Sequence, residues 1–500
     1  MARIWRGVRS SHVLEARTNL AWDIFLPAAE HGSGPLHVRL TGALRDAIRQ
    51  GRIQVGSALP PSRQLAADLG CSRWAVTEAY EQLVAEGYLQ ARIGSGTRVR
   101  GRDHRLPVPR PVVTCAPELP RFDLAPGLPD LAAFPRGAWS RAWRSVIATV
   151  PHAELSYPPR GGHPRLRLVL ADYLQRVRGA VVKAEDVTIT ASILDGVTRV
   201  GRTLVSAGHH RIAVEDPCWR WLRQGVQRSG LEVAPIAVDG EGMRTDELPA
   251  IRVRAAIAAP AHQFPTGTVL TPARRAALVE WAEAADGLIL EDDYDAEFRY
   301  DRRPVGTVQG TDPDHTALFG SLSKTLGPGL RLGWTVTPPR WTEALRSEEP
   351  PQSGPSILDQ LTLARFIETG AYDRHLRALR RRYRARRDRF ASAVARHLPG
   401  LDLSGAAAGL HVLLSLPSGL EGGAVAAAAR MRGVRVVDLG ACRFYGREGD
   451  GRGEAWRQST AGPSEALVLG YGNLDDGAVE EAVAELARAI RTVQSAPMRR

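Results

Sequence analysis

Apolar residues along this 500-residue chain change their period twice. Up to Pro35 no period is sustained and the stretch ends in the turn-forming cluster HGSGP, so residues 1–35 read as an irregular lead-in. From Leu36 the spacing becomes helical, with Val38, Leu40, Leu44 and Ile48 expected to share one face and Gly51 to stop the helix. After the turn VGSALPP come two short helical units, Ser62 to Leu69 and Ser72 to Glu86, separated only by Gly70 and Cys71. Ser62 and Ser72 suit N-caps, and Val76, Ala79, Tyr80, Leu83 and Val84 predict the buried face of the second unit. YLQARIGSGTRVR then alternates apolar and polar positions around GSG, which predicts a hairpin. Residues 101–121 are rich in Pro, Arg and Val with neither period, and read as an extended linker of polyproline character.

From Phe122 the pattern changes again. A turn-rich opening and two amphipathic helices lead into apolar, β-branched runs at Val187 to Thr190, Ile212 to Val214, Ala255 to Ala258, Leu288 to Leu290 and Ala317 to Phe319. These alternate with helical stretches, so residues 122–500 are expected to form an α/β domain with a mainly parallel sheet. Ligands of such a sheet collect at the carboxyl ends of its strands.

Composition narrows the possible partners. The formal net charge of +12 suits a polyanion. Cys71, Cys115, Cys218 and Cys442 are isolated, without a C-x-x-C pair or zinc-type spacing, so no metal site is expected and a reducing cytoplasm fits. No stretch is apolar enough for a signal peptide or a membrane span. In the N-terminal part, a helix, a tight turn and a second helix with Arg73 at its start is the arrangement by which helix-turn-helix proteins bind DNA, and the basic hairpin behind it suggests a wing.

Of 66 basic residues only two are lysine, Lys183 and Lys324. Lys183, in GAVVKAEDV, reads as a surface-loop residue. Lys324 lies in GSLSKTLGPGLRLGW, just past an apolar run. A guanidinium cannot condense with a carbonyl, whereas a primary amine of lowered pKa forms a Schiff base. In LILEDDYDAEFRY, Asp292 follows a buried strand, where a carboxylate can hold a pyridine nitrogen protonated, and the Tyr294 phenol can reach the ring's 3′ oxygen. Ser321, Ser323 and Arg331 supply two hydroxyls and a guanidinium for one phosphate dianion. Together these groups describe one cofactor, pyridoxal 5′-phosphate.

Two resemblances bear on this reading. LPPSRQLAADLGCSRWAVTEAYEQLVAEGYLQARIGSGTRV, within residues 36–100, resembles the winged-helix domain of GntR-type bacterial regulators. It implies phosphate and base contacts from Arg63, Ser72, Arg73 and Thr77, with Gly94, Ser95 and Gly96 in the wing. Trp74 departs from that pattern, where a polar residue is usual. From Phe122 to about Val493, APAHQFPTG, EDDYDAEFRY, SLSKTLGPGLRLG and AGLHVLL resemble the fold type I aminotransferases. That resemblance implies Lys324 as the Schiff-base lysine, Asp292 on the pyridine nitrogen, Tyr294 on the 3′ oxygen, and Ser321, Ser323 and Arg331 at the phosphate. It also implies Trp219 stacked on the ring, His262 and Gln263 beside it, Tyr157 lent to a neighbouring subunit's phosphate, and Arg443 on an amino acid's α-carboxylate. TITASILDGVT departs from the family, with Ser192, Ile193 and Leu194 where relatives carry small and amide residues at the phosphate-binding helix start, which leaves the main chain as the anion donor.

A winged helix followed by an aminotransferase-like domain resembles the MocR subfamily of GntR regulators. It implies a homodimeric, cytoplasmic transcription factor on a double-stranded DNA operator, with pyridoxal 5′-phosphate, alone or joined to an amine or amino acid, as the signal. The alternative is a catalytically active aminotransferase with an accessory DNA-binding module, and a third reading is a DNA-binding protein whose cofactor site is dead. DRHLRALRRRYRARRDRF, from Arg374 to Arg389, is expected to be a solvated helix bearing intersubunit ion pairs, or else a further DNA contact.

Overall fold

A computed structural model of the protein describes residues 34–92, 96–100, 120–300, 305–349, 354–405, 408–444 and 465–495. The lead-in and the linker fall almost wholly outside these residues. The chain divides into two compact units, Met1–Glu118 and Leu119–Arg500.

The smaller unit contains α1 (Leu36–Arg49), α2 (Ser62–Asp68), α3 (Arg73–Ala85) and the antiparallel hairpin of β1 (Leu89–Arg92) and β2 (Gly96–Val99), paired Leu89 to Val99. Its core joins Leu40, Leu44 and Ile48 of α1 to Leu65 of α2, Val76, Ala79, Tyr80 and Leu83 of α3, and Leu89 and Val99 of the hairpin. Three expectations are corrected. Val38 is exposed, because two residues along a helix is more than half a turn and carries it away from Leu40. Val84 is also exposed, one position beyond the edge of the α3 stripe. Pro61, not Ser62, stands in the cap position of α2, and no side chain caps that helix. Ser72 does cap α3, its hydroxyl accepting from Ala75 N at 3.3 Å.

The larger unit is built on an eight-stranded sheet of β4 (Val187–Thr190), β5 (Arg211–Asp216), β6 (Glu232–Asp239), β7 (Gly242–Met243), β8 (Ala255–Ala258), β9 (Leu288–Asp292), β10 (Thr316–Ser321) and β11 (Gly333–Val336), following a short first strand β3 (Phe122–Asp123). The spatial order is β4-β11-β10-β9-β8-β5-β6-β7. The central pairs from β10 through β9, β8 and β5 to β6 are parallel; β11 pairs antiparallel with both β10 and β4, and β7 antiparallel with β6. All five predicted strand runs lie in this sheet. They are legible because both sheet faces are covered, which requires nearly continuous apolar strands. Helix α4 (Ile193–Ser206) packs so closely on β10 and β11 that a Cβ at Gly196 would stand 2.4 Å from Thr335 Oγ1.

A second sheet of four antiparallel strands, β12 (Leu403–Ser404), β13 (His411–Ser415), β15 (Val437–Asp438) and β16 (Ala466–Gly470), lies in the C-terminal part, where β14 (Val434–Arg435) pairs with β3. The arginine-rich segment belongs to a 27-residue helix, α5 (Ala371–His397). Leu376, Leu379, Tyr383 and Phe390 are buried as expected, but so is Arg386. Its guanidinium binds Asp130 and Asp476, each at 2.7 Å, and the Gly472 carbonyl. Arg382 pairs with Asp130 at 3.0 Å, Arg380 donates to Glu297 O, and Arg384 to Tyr300 O. These side chains are engaged within their own chain, where solvent and a second subunit were expected.

Candidate functional site

Parallel strands set the site's frame. β9 ends at Asp292 and β10 at Ser321, with Phe319 registered beside Asp292, so the Ser321–Lys324 loop leaves the same sheet edge as EDDYD. The chain then makes a short turn over Pro328–Leu330, closed two residues ahead of β11 by Arg331 with φ +52, a conformation that a non-glycine residue adopts at a cost.

Lys324 is half-buried, and its Nζ donates to the Gly127 carbonyl at 2.6 Å and lies 6.0 Å from the centre of the Tyr294 ring. Burial lowers its pKa, against the opposing pull of Asp295 and Asp292. The Asp292 carboxyl is pushed up to about 7 by burial, then by Asp295 and Asp293, with Lys324 acting the other way. Its Oδ1 is buried and has no hydrogen-bond partner. Buried acceptors are ordinarily satisfied, so an unpaired one fits a missing donor such as a protonated ring nitrogen.

The Tyr294 hydroxyl lies 2.9 Å from His262 Nδ1. The same nitrogen lies 2.9 and 3.2 Å from the two Asp295 oxygens, and both His262 and Asp295 are buried. Burial first, then Asp295 and Asp292, holds the Tyr294 phenol well above its usual pKa, so it stays a neutral donor. The His411 ring stands 4.9 Å from that of His262 and is kept neutral by burial, with His262 and Lys324 adding to the effect. Gln263 is committed elsewhere: its amide donates to Pro217 O and Phe264 O, each at 2.7 Å, and its oxygen accepts from Thr266 N and Oγ1. It clamps two loops together.

On the phosphate side, Ser192 caps α4 by accepting from Asp195 N at 3.1 Å, and Asp195 accepts in return from Ala191 N at 2.9 Å. This reciprocal box satisfies main-chain donors that a helix start otherwise offers to an anion. Asp195 is held in turn by both ends of the Arg199 guanidinium, at 3.0 and 2.9 Å. Ser192, Asp195, Arg199, Arg202 and Arg331 line one cavity of about 780 Å³. Ser321 Oγ accepts from Ser323 N at 3.3 Å at the start of the lysine loop.

Trp219 is 41% exposed at the start of the helix Arg220–Arg228. The segment bearing Arg443 docks beside it: Cys218 N donates to Cys442 O at 2.9 Å, Phe444 N to Asp216 at 2.7 Å, and Arg223 to the Arg443 carbonyl at 2.7 Å. The structure thus brings Trp219 and Arg443 to one end of β5. Tyr157 is 69% exposed in the loop ahead of the helix Pro164–Arg178. Taken together, an amine of lowered pKa, an unpaired carboxylate and a neutral phenol fit pyridoxal 5′-phosphate; of the expected phosphate set Arg331 alone lines the arginine-rich cavity, which Lys324, Asp292, Tyr294, Ser321 and Ser323 do not line.

In the smaller unit, Arg63 on α2 and Ser72, Arg73 and Trp74 at the start of α3 are exposed, with Thr77 half-buried one turn on. The first turn of α3 carries no acid. Gly96 begins β2 with φ +78, while Gly94 and Ser95 lie outside the described residues.

Residues 36–99 match the family of bacterial regulatory proteins of the gntR type, and residues 135–452 match aminotransferase class I and II. The chain is 32% identical over 477 residues to the HTH-type pyridoxine biosynthesis transcriptional regulator PdxR of Corynebacterium glutamicum, covering 94% of this chain and 99% of that protein. It is 30% identical over 490 residues to the probable rhizopine catabolism regulatory protein MocR of Rhizobium meliloti, covering 92% and 95%. The chain is a GntR-type transcriptional regulator of the MocR subfamily. An archaeal alanine:glyoxylate aminotransferase superposes on this MocR-type regulator with a TM-score of 0.66 at 24% identity, over 74% of this chain and 91% of that one, which shows the fold.

Four site residues of this regulator escaped the sequence reading. Gly127 holds φ +118 in APGLPD and presents the carbonyl that Lys324 meets. Asp195 was passed over beside its apolar neighbours, although S-x-x-D before a helix is a capping signal. Asp295 and His411 stood inside recognised motifs, and only their burial against His262 distinguishes them.

Proposed function

We propose that this regulator holds pyridoxal 5′-phosphate covalently on Lys324. Occupancy by the cofactor, alone or joined to an amine or amino acid, shifts its affinity for a double-stranded operator. Residues 36–100 are the DNA-binding part and residues 122–500 the sensing part, in a homodimer working in the cytoplasm. The observation that carries this reading is the pairing of a half-buried Lys324 of lowered pKa with the unpartnered Oδ1 of Asp292 on the neighbouring strand end.

Bound there, the cofactor supplies an aldehyde that takes up a primary amine and a ring that withdraws electrons. Asp292 holds the ring nitrogen's proton, and Tyr294, positioned by His262, donates to the 3′ oxygen. Ser321, Ser323 and Arg331 hold the phosphate, Trp219 covers the ring, and Arg443 receives an α-carboxylate. Tyr157, exposed on its own protomer, reaches a neighbouring subunit's phosphate. A ligand moves the DNA equilibrium only by its difference in affinity between two arrangements of the chain. Among the described residues no helix is long and apolar enough to cross a membrane.

The test is a DNA-binding titration of the full-length protein with and without pyridoxal 5′-phosphate, then with a panel of amino acids, while absorbance is followed. A cofactor-dependent shift in DNA affinity that tracks the absorbance supports the reading. Sustained transamination at enzyme-like rates, with no specific duplex retained, replaces it with the aminotransferase alternative.

A further inference from the structure

Trp74 is the one large apolar side chain on the exposed face at the start of α3, 63% exposed between Arg73 and the buried Ala75. It gains nothing from the core, whose contribution from α3 is Ala75, Val76, Ala79, Tyr80 and Leu83. Positions 73, 74 and 77 are three or four residues apart or adjacent, so Arg73, Trp74 and Thr77 form one continuous patch of helix surface. The indole is not free to lie flat on the helix: the His37 ring of α1 meets it at 5.2 Å and 68°, an edge-to-face contact that limits its swing. A large apolar group held out from the first turn of a recognition helix, beside a cation, faces base edges once that helix enters the major groove.

In that groove the edges are donors and acceptors, with one strongly apolar feature, the C5-methyl of thymine. An indole offers a single donor and a broad apolar face, so it discriminates through the methyl and not through a hydrogen-bond pattern. We propose that Trp74 is a specificity-determining residue of this regulator that reads a thymine C5-methyl in each operator half-site, beside the position contacted by Arg73. This rests on the DNA-binding reading of the smaller unit and is independent of the cofactor site.

The experiment begins with selection of preferred duplexes from a randomised DNA library by the full-length protein saturated with pyridoxal 5′-phosphate. Each thymine of the selected duplex is then replaced singly by deoxyuridine, which removes the methyl and keeps the pairing. One thymine per half-site is expected to lose about fourfold in affinity, the size of burying one methyl-sized group. Trp74→Ala is expected to bind the selected duplex more weakly and to be indifferent to deoxyuridine at that position, with a cooperative melting transition retained and lowered only by the loss of the His37 contact. If Trp74→Ala responds to deoxyuridine as the wild type does, or if it weakens all duplexes equally, the indole contacts something other than the methyl and the proposal falls. Failure of the wild type to select any sequence, both with and without pyridoxal 5′-phosphate, would overturn the DNA-binding reading itself, whereas selection without a methyl-sensitive thymine would overturn the Trp74 proposal alone.

Discussion

Two of the serine-capped helices among the described residues, α3 and α4, have starts that the sequence assigns to an anion. Ser72 caps α3 and Ser192 caps α4 with nearly the same bond, hydroxyl to the main-chain N–H three residues on. They differ at that third residue. In α3 it is Ala75, no acid lies in the first turn, and Arg73 stands exposed beside the cap. In α4 it is Asp195, which returns a bond to Ala191 N and draws in Arg199. The helix dipole has the same sign in both, so the side chains decide the balance. α3 has a positive end with no acid in its first turn, the arrangement that suits a polyanion. α4 has its own carboxylate at the helix start, and the positive charge around it belongs to the arginines of the neighbouring cavity, among them Arg331. A shared local motif thus supports a strong electrostatic contact in one unit and a tempered one in the other.

The largest effect separates the two units outright. Lys324→Ala is expected to abolish the covalent cofactor absorbance and the effector response while basal DNA affinity stays in place. A variant that still responds to effector would remove the lysine from the switch. Next comes the α3 side of the comparison: Arg73→Ala should weaken operator binding roughly 10- to 100-fold, the cost of losing a specific base contact, with the cofactor spectrum unchanged. An unaltered operator affinity would mean that α3 does not present its positive end to DNA.

The third prediction concerns pH. Asp292 is raised to about 7 by burial before the cofactor binds. Below that value the carboxyl is neutral and offers no charge to a protonated ring nitrogen; above it the carboxylate is ready. Lys324, with its lowered pKa, also becomes a free amine more readily as pH rises. Cofactor affinity should therefore strengthen from pH 6 to pH 8, as followed by absorbance titration, and Asp292→Asn should flatten the profile. A profile that falls over this range would contradict the assignment. The smallest effect tests α4: Asp195→Asn keeps an acceptor for Ala191 N and removes the charge, so phosphate and cofactor should bind about two- to fivefold more tightly, the scale of one charge at a helix end. No gain would show that Arg199 already neutralises Asp195 fully.

A third helix, the arginine-rich α5, shows where sequence patterning stops. The period of α5 correctly places Leu376, Leu379, Tyr383 and Phe390 inside. Arg386 has no such signal, because its burial depends on Asp130 and Asp476, which are remote in sequence and meet it only in the folded chain. The C-terminal sheet was equally hidden. Its strands are short and pair across long separations, as β13 does with β16, so no local alternation announces their partners.

By itself the sequence determined the two-part organisation, the five apolar strands, the Ser72 cap and the choice of Lys324, Asp292 and Tyr294 as the candidate reactive groups. Each of those depends on period, on a neighbour within a few residues, or on a side chain whose reactivity travels with it. Only the tertiary structure decided which groups share an electrostatic environment: His262 between Tyr294 and Asp295, the unpaired oxygen of Asp292, and Gln263 as a loop clamp. Burial and long-range pairing set those features, and both are properties of the packed chain, invisible along its length.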